Sequence, residues 1–287
     1  MSREPNVYES SFPSEIVTCR LGTKGNVRLL CKYEAGRHYA GYGHWGSLHY
    51  EADVYRRVLQ PLSMSAPHLV GSYQGEDIWL FLEYLDDSSR IDIAPSAETL
   101  PGAARWAGRF HALNEHRLSD SRLGFLTRYD AEFYRGWATR TAHFAGDLHR
   151  PLPWLDLLCS RFEDCVATLL APPLTIIHGE YTVHNILVRN GTIFPIDWQS
   201  AAVAAGEIDL ACLLEGWSDE TVEECIAAYH QARWPDGAPA SFDRRFAAAQ
   251  LYLHFRWLGD QPEWTVHESR IWRFQHLRPL GERLGLL

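Results

Sequence analysis

No run of about 18 apolar residues occurs anywhere in the 287-residue chain, so no helix is expected to span a bilayer. The opening residues, Met1-Ser2-Arg3-Glu4-Pro5, lack the apolar core of a secretory signal. The six cysteines, at positions 19, 31, 159, 165, 212 and 225, form no CxxC pair and no regular framework. That spacing speaks against a metal cluster and a disulfide scaffold, and the expected compartment is a reducing cytoplasm. Positive charge is also scarce: 27 Lys and Arg stand against 36 Asp and Glu, a formal net charge of -9. A nucleic-acid partner gripped through its phosphates is therefore not expected. Internal repeats and low-complexity segments are absent too. What is present is 46% hydrophobic content, sufficient to bury the core of one large domain or two lobes.

The first part of the chain reads as β-rich. Ile16 to Leu21 and Val27 to Tyr33 flank a polar turn at Gly22 to Asn26, and the second run ends near Lys32. A glycine-bearing loop follows, then a helical pattern from Ser47 to Leu59 that carries Glu51 and closes before Pro61. Leu69 to Tyr73 and Ile78 to Tyr84 predict two further strands. Past Asp86 to Ser89 the period changes from two to 3.6, with helices expected over Ala97–Asn114, Asp130–Leu148 and Leu155–Leu170. A hairpin within 175–197 interrupts them, and helices resume near Ile208. These patterns predict an α+β chain with a small β-rich lobe over 1–85, built around one key helix, and a larger, mainly α-helical lobe over 86–287.

The densest polar information lies around that hairpin. His178-Gly179-Glu180 precedes Asn185, the apolar run Ile186-Leu187-Val188, a turn at Asn190-Gly191, then Ile193-Phe194 and Asp197. Asn-Gly between apolar runs is a strong signal for a two-residue turn. Folding about it sets Asn185 opposite Ile196, one place short of Asp197, so a joint site requires that end of the hairpin to be irregular. Asn185 and Asp197 offer the hard oxygens that Mg²⁺ prefers. Lys32 on its strand, with Glu51 on the next helix, supplies a cation that a carboxylate can hold in place. Glu180 remains to orient or deprotonate an acceptor hydroxyl. These are the components that phosphoryl transfer needs. His178 and His184 find no third ligand at zinc spacing.

The residues resemble the aminoglycoside phosphotransferase-like small-molecule kinases, which have the two-lobed protein-kinase-like fold. His178-Gly179-Glu180 with Asn185 is similar to that family's catalytic loop, His-Gly-Asp-x-x-x-x-Asn. Ile196-Asp197-Trp198-Gln199 is similar to its metal-binding segment, and Ile208-Asp209-Leu210-Ala211 to the stretch that follows. The resemblance implies an ATP- or GTP-dependent enzyme that phosphorylates a small-molecule hydroxyl. It implies Lys32 on the phosphates with Glu51 as partner, Asn185 and Asp197 on Mg²⁺, and Glu180 as catalytic base. The backbones of Glu83 and Leu85 would hold the purine, and His178 would be a structural member of the loop, bonded to backbone near Asp197. The acceptors it brings first are aminoglycoside-like or other natural-product antibiotics, with sugars, amino alcohols and nucleosides open. A monomer or a homodimer is expected.

Two departures from the family pattern stand out. Glu180 replaces the usual Asp, adding a methylene between backbone and carboxylate. The glycine-rich phosphate loop is missing, and Ser10, Ser11 and Ser14 are the candidates in its place. These departures support a competing reading, a kinase-fold binding protein with weak or no turnover. Asp209 is expected to anchor a helix, and Trp217, Trp257, Trp264 and Trp272 to serve chiefly in packing. The acidic run Glu215 to Glu224 fits equally a trap for a polycation and an ordinary helix start.

Overall fold

In the computed structural model, which describes residues 1–6, 12–22, 25–34, 42, 46–93, 96 and 98–287, the β-rich region is one antiparallel sheet. Its strands are β1 (Ser2–Pro5), β2 (Ser14–Arg20), β3 (Asn26–Glu34), β4 (Leu69–Gln74) and β5 (Ile78–Glu83), in spatial order β1-β2-β3-β5-β4. Alternation sends Leu30 and Lys32 of β3 to one face, in register with Leu82 and Leu80 of β5. Leu80 and Leu82 are buried there. Helix α1 (Leu48–Val54) packs against β5, started by the Ser47 side chain, which accepts the Tyr50 N–H. A π-helical turn over Tyr55–Leu59 prolongs it. Strand β1 has no apolar alternation to announce it. Backbone pairing with β2 and two hydrogen bonds from the Arg3 guanidinium to Glu15, at 2.8 and 2.6 Å, hold it in place.

Six strands of two to four residues follow: β6 (Ser89–Arg90), β7 (Thr127–Arg128), β8 (Thr175–Ile177), β9 (Ile186–Arg189), β10 (Thr192–Pro195) and β11 (Ala202–Ala204). They form two small sheets, β10-β9-β6 and β7-β11-β8. Around them stand α2 (Thr99–Glu115), α3 (Ala131–Ala145), α4 (Leu155–Arg161), α5 (Glu163–Leu170), α6 (Glu207–Leu214), α7 (Asp219–Arg233), α8 (Phe242–Leu258), α9 (Pro262–Thr265) and α10 (Ile271–Leu284). Helices α2 and α7 lie close because Gly108 faces the Tyr229 carbonyl, where a Cβ would sit 2.6 Å from the oxygen. Helix α8 is the hub, packed on α3, α5, α6 and α10. Among the described residues no helix is long and apolar enough to cross a membrane.

One expected helix is divided. The pattern of residues 155–170 breaks at Phe162, whose N–H bonds three residues back to the Cys159 carbonyl. The buried ring of Phe162 meets Phe255 of α8 edge-on at 5.0 Å between centroids, so tertiary packing bends a segment that is periodic throughout.

Candidate active site

The hairpin of β9 and β10 turns at Asn190 and Gly191, both with positive φ (52° and 75°), the conformation for which Asn-Gly is suited. Ile186 pairs with Pro195, and the Ile196 N–H donates to the Asn185 carbonyl at 2.9 Å. The ladder ends there. Asp197 adopts φ 67° and ψ 59°, a left-handed conformation that takes its side chain off the strand path. This is the irregularity that a joint Asn185 and Asp197 site requires, and both residues line one cleft.

Lys32 crosses that cleft from β3. Its Nζ donates to both oxygens of Glu51, at 2.9 and 3.0 Å, and to Asp197 Oδ1 at 2.5 Å. The Trp198 N–H donates to Glu51 Oε1 at 3.3 Å, tying the residue after Asp197 to the same carboxylate. Burial disfavours the ammonium, but Asp197 and then Glu51 outweigh it, and the Lys32 pKa rises above its ordinary value. Glu51 is pushed upward by burial and by Asp197 against the pull of Lys32. With all three groups ionised, two carboxylates face one ammonium. The surplus negative charge at the polar end of a partly buried cleft is a physical reason for a cation to bind there.

The other end is apolar, walled by Leu30, Leu82, Leu85 and Leu187. Glu83 donates its N–H to the His68 carbonyl at 2.8 Å, and its side chain accepts the His68 N–H at 3.2 Å. The Leu85 carbonyl accepts Ser88 Oγ at 2.7 Å. Asp86 pairs with Arg28, and Asp87 takes a left-handed turn conformation, φ 57°. Ser14 lines the cleft beside Asn6, which donates to its hydroxyl at 2.9 Å, and Ser10 and Ser11 lie outside the described residues.

Glu180 belongs to the loop after β8. Its Oε1 accepts a short hydrogen bond from Arg256 Nη2, and its Oε2 accepts from Ser200 Oγ at 3.2 Å. Asn185 Nδ2 donates to the Glu180 carbonyl at 3.0 Å, which leaves the amide oxygen of Asn185 as its remaining acceptor. His178 Nε2 lies 2.8 Å from the Ile196 carbonyl oxygen, the backbone bond expected of that residue. Asp209, in the first turn of α6, accepts the N–H groups of His178 at 2.7 Å and Gly179 at 2.9 Å, and His111 Nε2 is 3.1 Å away. The carboxylate expected to anchor a helix thus anchors the loop that carries Glu180.

Gly179 is forced by geometry. Its φ is 83°, and a Cβ would stand 2.2 Å from the Ser200 carbonyl oxygen. Gly179→Ala is expected to combine left-handed strain with a backbone clash and cost about 2 to 4 kcal/mol, read as a lower urea midpoint. An unchanged midpoint would contradict this packing.

Neither Arg256 nor Ser200 was expected. An arginine within the apolar pattern of α8 is a signal in principle, because buried arginines are paired, but nothing in the pattern names Glu180 as the partner. Of the acidic run, Glu215 is held by Arg273 at 2.6 and 2.9 Å, while Asp219 and Glu220 lie in the first turn of α7. Half-buried Trp257 lies near the guanidinium groups of Arg256, Arg270 and Arg273, 5.1 to 5.3 Å from the ring centroid.

Residues 37–249 match the sequence profile of the phosphotransferase enzyme family (APH), a span that includes Glu51, Glu180, Asn185 and Asp197. The chain belongs to that family. Among curated relatives of this phosphotransferase-family chain, an N-acetylmuramate/N-acetylglucosamine kinase of Neisseria meningitidis serogroup B is 26% identical over 156 residues. The match covers 49% of this chain and 43% of that relative's length. A choline kinase from Cryptosporidium parvum Iowa II superposes with a TM-score of 0.67 at 15% identity, covering 100% of this chain and 91% of the other. A spectinomycin phosphotransferase in complex with ADP and spectinomycin gives a TM-score of 0.62 at 12% identity, covering 100% and 93%. At those identities the likeness establishes the fold, a two-lobed α+β architecture of the protein-kinase-like kind.

Proposed function

We propose that this chain is a phosphotransferase that moves the γ-phosphoryl group of ATP or GTP to a hydroxyl of a small molecule, with Mg²⁺ as its metal. The observation that carries this reading is the meeting of Lys32, Glu51 and Asp197 at the polar end of a cleft whose other end is apolar. A nucleoside triphosphate has the same polarity, with a flat base at one end and concentrated negative charge at the other. The purine would lie between Leu30, Leu82 and Leu187, against the backbones of Glu83 and Leu85, and Lys32 would contact the phosphates. Asp197 and the amide oxygen of Asn185 fit Mg²⁺ because both are hard oxygen donors in one cleft and the Asn185 nitrogen is already engaged. When bound, the metal would supply neutralisation of the phosphate charge. Glu180 would orient the acceptor hydroxyl and receive its proton.

The acceptor would bind on the helical side, near Glu180. Antibiotics of the aminoglycoside or other natural-product kind, sugars, amino alcohols and nucleosides form the panel to test. Glu180 and Glu215 are each paired with an arginine, so this face is less attractive to a polycation than its acidic residues imply. Six unpaired thiols support a reducing cytoplasm as the place of action.

The second reading, a nucleotide-binding protein without turnover, is favoured by the engagement of Glu180 with Arg256. Thermal shift with ATP or GTP, each with and without Mg²⁺, followed by phosphate transfer across the panel, separates the two. The kinase reading expects a metal-dependent rise in Tm and a phosphorylated acceptor. A rise in Tm with no transfer to any hydroxyl would favour the binding protein, and no response to nucleotide would remove both.

A further inference from the structure

We infer that Arg256 is a positioning residue for phosphoryl transfer: it holds the Glu180 carboxylate in the place that the acceptor hydroxyl meets. The inference rests on the kinase reading above and adds to it a residue on α8, a helix outside the nucleotide cleft. In the step concerned, the acceptor oxygen bonds to the γ-phosphorus, the bond from phosphorus to the nucleoside diphosphate oxygen breaks, and the hydroxyl proton passes to Glu180.

The geometry is that of a clamp. Arg256 Nη2 donates to Glu180 Oε1, Arg256 Nη1 donates to the Gly179 carbonyl at 3.3 Å, and Ser200 Oγ donates to Glu180 Oε2 at 3.2 Å. One guanidinium therefore grips both the side chain and the backbone of the loop, while a hydroxyl holds the opposite oxygen. A planar fork suits this task better than an ammonium, because its donors are fixed relative to one another. The need for it follows from the residue. Glutamate has one more rotatable bond than aspartate, and an unheld carboxylate would spread over rotamers. Misplacement of the order of an ångström costs about 10²-fold in rate.

The platform is rigid. Arg256 is 3% exposed, on the helix that packs against α3, α5, α6 and α10. The backbone carrying Glu180 is held from the other side by Asp209 on α6, through the N–H groups of His178 and Gly179. Other titratable groups close enough to act on the pair are Tyr129 before α3, Cys212 on α6 and Tyr252 on α8. Burial pushes all three upward, so they stay neutral across the physiological range. His178 lies in the same loop, its Nδ1 accepting the Glu180 N–H at 3.3 Å and its Nε2 at the Ile196 carbonyl. Burial lowers the Arg256 pKa, but Glu180 outweighs it and the net shift is upward, so the guanidinium remains charged throughout.

The test compares wild type with Arg256→Met, Arg256→Lys, Glu180→Gln and the double variant Glu180→Gln/Arg256→Met. For each, kcat and both KM values are measured with the acceptor found by the panel, or with water as acceptor if transfer to water is the activity detected. Arg256→Met is expected to lower kcat by about 10²-fold, with the nucleotide KM nearly unchanged. Arg256→Lys keeps the charge without the fork, so it should recover only part of the lost kcat. In the Glu180→Gln background, loss of Arg256 should have little further effect on kcat, since the group it positions is no longer a base.

Nucleotide-induced thermal shift establishes that each variant is folded. Should Arg256→Met fail to fold because the buried Glu180 carboxylate loses its cationic partner, the comparison of Arg256→Lys with wild type and the double variant with Glu180→Gln decides the matter. Folded variants with unchanged kcat, or a faster Arg256→Met, would overturn the inference while leaving the kinase reading intact. A wild-type chain that transfers phosphate to no acceptor, water included, would overturn both.

Discussion

Asp197→Ala is expected to abolish measurable transfer, with a loss of at least about 10³-fold, or roughly 4 kcal/mol of transition-state stabilisation. The side chain is the only one that touches Lys32 from the hairpin among the hydrogen bonds of that ammonium described above, and it shares the cleft with Asn185. Its removal takes away the proposed metal carboxylate and one of the two anions that hold Lys32 in place. The left-handed backbone at Asp197 is not an obstacle to reading the experiment, because Asp197→Asn keeps a residue that tolerates φ of 67° and removes only the charge. Both variants should retain a cooperative unfolding transition and lose the Mg²⁺-dependent part of the nucleotide thermal shift. Full metal-dependent stabilisation in Asp197→Asn, together with near wild-type turnover, would show that the metal is held elsewhere.

Changes at Glu180 carry the second large effect. Glu180→Ala is expected to reduce kcat by about 10² to 10⁴-fold, the range for loss of a positioned general base. Some residual rate should persist, since the charge stabilisation proposed for Lys32 and for Asp197 with Asn185 does not depend on this residue. Glu180→Asp is more informative. Aspartate stands at this position in the family pattern given in the sequence analysis, yet here Arg256 and Ser200 meet a carboxylate placed one methylene further out. Shortening the side chain withdraws it from both donors and leaves a buried guanidinium without that partner. The expected result is a fall of about tenfold or more in kcat, in keeping with an ångström-scale displacement. An increase in rate would mean that the glutamate is a handicap and that the clamp restrains activity. Wild-type activity in Glu180→Ala would refute the role of base altogether.

Both expectations depend on features of different visibility in the sequence. The β9–β10 hairpin was legible because Asn190-Gly191 and its apolar flanks are local signals, and the strands around Lys32 and the helix around Glu51 follow from short-range periodicity. Spacing alone placed Asn185 opposite Ile196, and the Ile196 to Asn185 hydrogen bond agrees. The composition made a change from β-rich to helical character evident near residue 86. Strand β1 was not legible, because an edge strand held by backbone pairing needs no apolar alternation. The division of residues 155–170 at Phe162 was not legible either, since the ring that accounts for it packs on a helix some ninety residues further along the chain, about Phe255.

The amino-acid sequence by itself determined which chemical groups are available and which local segments present them: an ammonium on a strand, a carboxylate on a helix, and Glu180, Asn185 and Asp197 about one turn. Local propensity and periodicity act over a few residues, and these assignments require no more. Only the tertiary structure decided what those groups face. Lys32 meets Asp197 across 165 positions of chain, Asp209 holds the backbone of His178 and Gly179, and Arg256 meets Glu180 from helix α8, 76 positions along the chain. Such partners are chosen by burial, where an unpaired charge is costly and the packed helices leave few positions from which it can be met. Residue identity thus made Glu180 a candidate base, and its buried surroundings supplied the arginine proposed to position it.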